Sequence, residues 1–89
     1  MAKVMVSMKI YPTDIVSDMG QFQDKIRKAL EGSATVYKFE EEPVAFGLVA
    51  LVAHILMPED VEGRMDEVEN RLKSMDGISE VQVIVSRRV

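Results

Sequence analysis

Val4, Val6, Met8 and Ile10 alternate with Lys3, Met5, Ser7 and Lys9, a period-2 pattern that gives a first strand one apolar face and ends at Pro12-Thr13-Asp14. The period then lengthens. Met19, Phe22, Ile26, Ala29 and Leu30 recur at steps of three and four, with Asp24, Lys25, Arg27 and Lys28 mainly on the other side. Ser17 or Asp18 can cap this amphipathic helix and Gly32 ends it. Thr35, Tyr37 and Phe39 alternate with Val36, Lys38 and Glu40, a second strand polar enough to lie at a sheet edge. A loop through Pro43 leads to a third strand, Leu48 to Met57, which is apolar on both faces as a central strand should be. Pro58-Glu59-Asp60 stops it. Val61, Met65, Val68, Leu72 and Met75 then form the cleanest helical stripe of the chain, closed by Asp76-Gly77. Finally Val81, Val83 and Val85 alternate with Gln82, Ile84 and Ser86, a fourth strand running into Arg87-Arg88-Val89.

The order strand, helix, strand, strand, helix, strand predicts an α+β ferredoxin-like (split βαβ) sandwich: a four-stranded antiparallel sheet with two helices on one face. With 89 residues, the chain is expected to form one domain, since two separate cores would each be too small to offset chain entropy. The other sheet face, around Met5, Ala50, Val52, His54 and Ile84, is expected to be open and mildly apolar.

Charge narrows the function classes. Fifteen acidic against 11 basic residues leave a formal charge of -4, the wrong sign for wrapping phosphate backbones. Arg87-Arg88 forms a tight basic pair at the end of the fourth strand. Cysteine is absent, which removes disulfides, thiol nucleophiles and thiolate metal sites and makes the cytoplasm the expected compartment. The first residues alternate too soon for a signal peptide, and the longest apolar run is about half the ~20 residues a membrane helix needs. A soluble protein is expected.

Candidate chemistry is sparse. His54 is the only histidine, and the strand pattern alone sets no serine or carboxylate beside it, so a structural histidine is expected rather than a catalytic one. The glycines are scattered, and no phosphate-binding glycine loop occurs. Neither a zinc site nor a calcium loop has its ligands. Glu40, Glu41 and Glu42 read first as a solvated face and second as a partner-facing acidic patch. The register Val44-Ala45-Phe46-Gly47-Leu48-Val49-Ala50-Leu51 superficially matches the third strand of RNA-recognition domains. It fails where binding resides, with Val44 at the basic position and Leu48 and Leu51 at two of the three aromatic ones.

What stands out is Phe46-Gly47. Three carboxylates and Pro43 lead into this step, and the most apolar stretch of the chain follows it. One reading is a hairpin loop whose aromatic tucks back over its own core; the other is a phenylalanine presented outward beside a permissive glycine.

The segment Glu-Glu-Pro-Val-Ala-Phe-Gly-Leu-Val-Ala-Leu at residues 41–51, in a split βαβ chain ending in Arg-Arg plus an aliphatic residue, resembles the archaeal elongation factor 1-beta family. It is also similar to the C-terminal exchange domain of the eukaryotic factor, where Pro-Ile-Gly-Phe-Gly-Ile occupies the corresponding loop. The resemblance covers essentially the whole chain. It implies a translation factor, acting without covalent chemistry of its own, that promotes GDP-to-GTP exchange on elongation factor 1-alpha, with nucleotide and magnesium carried by that GTPase and no cofactor on this chain. It implies further that Phe46 enters a pocket of the GTPase and that Pro43 and Gly47 set its approach. Arg87 and Arg88 would supply the second contact, Arg88 standing where the eukaryotic factor uses a lysine directed at magnesium and phosphate. Arginine has a different donor geometry from lysine, so the route of magnesium displacement differs to that extent. A monomer without direct nucleic-acid or membrane contacts is expected. The alternative reading from topology is a small-molecule-sensing regulatory domain, which would dimerise and be stabilised by a metabolite.

Overall fold

The computed structural model describes residues 3–58 and 63–88, with only the backbone described for Arg87 and Arg88. Its elements are β1 (Lys3–Pro12), α1 (Met19–Leu30), β2 (Thr35–Ala45), β3 (Leu48–Pro58), α2 (Arg64–Lys73) and β4 (Ile78–Arg88). The strands form one antiparallel sheet in the order β2-β3-β1-β4, so β3 is central and β2 lies at an edge, as the sequence predicts, and β1 is the second central strand. The α+β ferredoxin-like arrangement is therefore the observed one.

The core lies between sheet and helices. Val6, Met8 and Ile10 of β1 and Leu51, Ala53 and Ile55 of β3 meet Phe22, Ile26 and Leu30 of α1 and Val68 and Leu72 of α2. Each of these side chains larger than alanine contributes roughly 1.5–3 kcal/mol by leaving water. Of the two possible caps for α1, Asp18 is used: its carboxylate accepts from the Gln21 N–H at 3.0 Å. At the other end the α2 side chain Arg71 donates to the Ala29 and Glu31 carbonyls, each at 3.2 Å, so one helix satisfies the open end of the other. The stripe predicted from Val61 appears as a helix only from Arg64, after Gly63 in a left-handed conformation; Glu59, Asp60 and Val61 lie outside the described residues.

Three expectations change. The strand β2 does not stop at Glu40 but continues through Pro43 to Ala45, so the predicted loop is mostly edge strand. Proline is tolerated there because an edge strand has one side where its missing N–H leaves no ladder partner unsatisfied. Register shifts at Tyr37 in β2 and at Ile84 in β4 also break simple alternation. The first leaves Tyr37 exposed and turns both Val36 and Phe39 towards the core. Because of the second, Val85 pairs with Ser7 while Val83 pairs with Met8, so these two valines do not share a face. Lastly, the open sheet face is apolar only in part: Val85, opposite Ser7, is 49% exposed there, whereas the central positions are covered. Ala50 and Val52 are buried there beneath an ion pair between Lys9 and Glu42 (2.8 Å), which crosses Ala50 diagonally.

Candidate functional site

Only Phe46 and Gly47 separate β2 from β3, and Ala45 pairs directly with Leu48. Two-residue hairpins whose twist matches the strands use type I′ or II′ turns, and type I′ has positive φ at both turn positions. Phe46 has φ 53° and Gly47 has φ 79°. For glycine this conformation is free of a β-carbon clash; for phenylalanine it costs about 1–2 kcal/mol. Phe46 is the only residue other than glycine with positive φ among those described.

The ring gains no contact with its own protein in exchange. Phe46 is 99% exposed, so the reading in which it covers its own core is overturned. A tight turn leaves the side chain no length of backbone over which to fold back. Just before it, Val44 is skipped by the ladder between Pro43 (opposite Val49) and Ala45 (opposite Leu48), and such a bulge increases the local twist. Pro43, Phe46 and Gly47 are thus brought together at one tip.

The tip is braced from the β1–α1 connection. A β-carbon on Gly47 would lie 3.4 Å from Ile15 Cδ1, so the isoleucine packs against the turn backbone. Thr13 N–H donates to the Gly77 carbonyl at 2.9 Å, tying that connection to the start of β4.

Arg87 and Arg88 are not near the tip. Their backbones pair with Met5 and Val4, and Val4 pairs in turn with Met57. Leu48 to Met57 is nine strand steps, about 30 Å at ~3.3 Å per residue, in a molecule 42 Å along its longest axis. The two candidate contacts sit at opposite ends of the sheet.

On the open face, strand pairing supplies His54 with neighbours that sequence adjacency does not reveal. Ser7 lies across the ladder with its Oγ 2.8 Å from His54 Nδ1, and Glu40 Oε1 is 3.7 Å from His54 Nε2. A serine and a carboxylate are therefore beside the histidine, contrary to expectation, because cross-strand register is a non-local property. Ser7 is buried, which suits a structural partner of the imidazole. Lys38 bonds the same Glu40 at 3.1 Å, and that hydrogen bond, with the charges of Lys38 and His54, holds the Glu40 carboxyl below its ordinary value. The hydrogen bond from Lys9 to Glu42 raises the lysine pKa. Two of the three consecutive glutamates are thus engaged with cations of this chain.

Residues 5–89 match the model of the EF-1 guanine nucleotide exchange domain. The elongation factor 1-beta of Staphylothermus marinus is 42% identical over 89 residues, covering all of this chain and 99% of that protein. The elongation factor 1-beta of Aeropyrum pernix is 43% identical over 83 residues, or 93% of this chain and 92% of that one. Among solved structures, the C-terminal domain of the MgtC protein from Mycobacterium tuberculosis superposes with a TM-score of 0.57 over 93% of this chain and 85% of its own. At 15% identity that likeness concerns the fold alone. Sequence and fold together place the chain in the EF-1 guanine nucleotide exchange family, as a translation elongation exchange factor.

Proposed function

We propose that this chain binds elongation factor 1-alpha and accelerates release of its GDP, with Phe46 as the principal contact. The observation that carries this reading is a fully exposed phenylalanine held in a strained turn conformation. Backbone strain with no compensating internal contact is retained where an outside partner uses it.

Exchange requires no covalent chemistry. A factor that binds the nucleotide-free GTPase more tightly than the loaded one weakens nucleotide by the same factor, because coupling between two ligands is reciprocal. Phe46 enters an apolar pocket of the GTPase; Pro43 stiffens the approach and Gly47 closes the turn. At the other end Arg87 and Arg88 carry positive charge towards the phosphate and magnesium site, with Arg88 the main contact. A cation placed there competes electrostatically with the bound metal. Nucleotide and magnesium both reside on the partner.

Release of a fluorescent GDP from elongation factor 1-alpha, followed by stopped flow, tests this. The wild-type chain is expected to accelerate release, and Phe46→Ala to lose about 2 kcal/mol of binding, roughly 30-fold in half-saturating concentration. No acceleration by wild type refutes the function. Full acceleration by Phe46→Ala refutes the site alone, and removal of residues 87–89 tests the second contact independently.

A further inference from the structure

Phe46 is not the only apolar group offered at the hairpin end of the sheet. Ile15 is 60% exposed, in a connection whose other residues, Val16 apart, are the polar Thr13, Asp14, Ser17 and Asp18. Its neighbour Val16 packs against the core; Ile15 does not. The position is fixed rather than loose. The Asp14 carboxylate accepts from the Ile15 N–H at 2.7 Å, and Thr13 is bonded to Gly77. Contact with the Gly47 backbone sets Ile15 beside the turn that carries Phe46. Val44, 45% exposed, adds to the apolar character of this end.

We infer that Ile15 is a second apolar contact for the same GTPase surface that receives Phe46. The inference rests on the exchange reading above. The occupant is fixed by continuity: whatever closes over a ring standing clear of the turn also reaches the isoleucine packed against that turn. A β-branched side chain already held by its own backbone loses little rotamer freedom on docking, so its apolar area converts efficiently into affinity. Periodicity does not single out Ile15, because it belongs to neither the β1 alternation nor the α1 stripe.

Two roles for Ile15 must be separated, direct contact and support of the turn, and a double-mutant cycle does so. GDP release is measured against concentration for wild type, Ile15→Ala, Phe46→Ala and the double variant, with binding to the nucleotide-free GTPase measured alongside. Ile15→Ala is expected to raise the half-saturating concentration about five- to tenfold, and by a similar factor in the Phe46→Ala background. An effect that vanishes in that background means Ile15 only supports Phe46, and overturns the inference. So does Ile15→Ala with wild-type behaviour. A wild-type chain that fails to accelerate release removes the exchange reading and this inference with it, whereas undiminished acceleration by Ile15→Ala removes the inference alone. Circular dichroism melting of each variant confirms that all are folded.

Discussion

Replacing Phe46 by asparagine is expected to stabilise the protein while removing its proposed principal contact. Phe46 holds φ at 53°, a conformation costing a residue with an ordinary β-carbon about 1–2 kcal/mol. Asparagine tolerates that region because its short side chain bonds locally, and Asn-Gly is the favoured pair for a two-residue hairpin. The ring is fully exposed, so its removal opens no cavity. The balance is a gain of about 1 kcal/mol, which for a chain of this size raises the melting temperature by roughly 4–8 °C. Phe46→Ala is the control. Alanine keeps the β-carbon and the strain but discards the ring, so its stability should match wild type within about 0.5 kcal/mol. Thermal unfolding by circular dichroism reads both, and the same samples in the GDP-release assay should both be impaired. An asparagine variant no more stable than the alanine one would show that the turn is not strained and that strain does not mark Phe46 as a contact.

Gly47→Ala should act in the opposite sense. It places a β-carbon at φ 79° and 3.4 Å from Ile15 Cδ1, costing about 1–2 kcal/mol, and unchanged melting would contradict the turn geometry. The Glu40 carboxyl is held below its ordinary 4.5 first by the Lys38 hydrogen bond, so its ionised form favours the folded state. That contribution is present above pH 4.5 and is lost as pH falls through the lowered folded-state value. The stability gap between wild type and Glu40→Gln should therefore narrow on acidification from about pH 7 to about pH 3; a constant gap would refute the assignment.

The fold was legible because each element carried its own periodicity. The stripe that becomes α2 and the doubly apolar β3 needed no partner to be recognised, and the apolar character of β3 marked it as a central strand. What alternation could not reveal were the single-residue shifts at Tyr37 and Ile84, since a bulge is a property of the pair of strands. The ion pair over Ala50 was hidden for the same reason: Lys9 and Glu42 are 33 residues apart and meet only through β3. At the hairpin, the Phe-Gly step marked the turn. Its exposure became decidable only once β2 ran on to Ala45 and left two residues to reverse the chain.

On the proposed two-contact reading, the separation of about 30 Å between the hairpin tip and the Arg88 row makes this chain a bivalent ligand with a rigid spacer. Two modest contacts joined by a sheet lose no linker entropy, so the second forms at a high effective concentration once the first is made. The same arrangement favours departure. An incoming nucleotide that dislodges the charged end leaves the factor held by its aromatic end alone, and a weak single contact dissociates quickly. On that reading a spacer of fixed length serves both halves of an exchange cycle, tight engagement of the empty GTPase and rapid release of the refilled one.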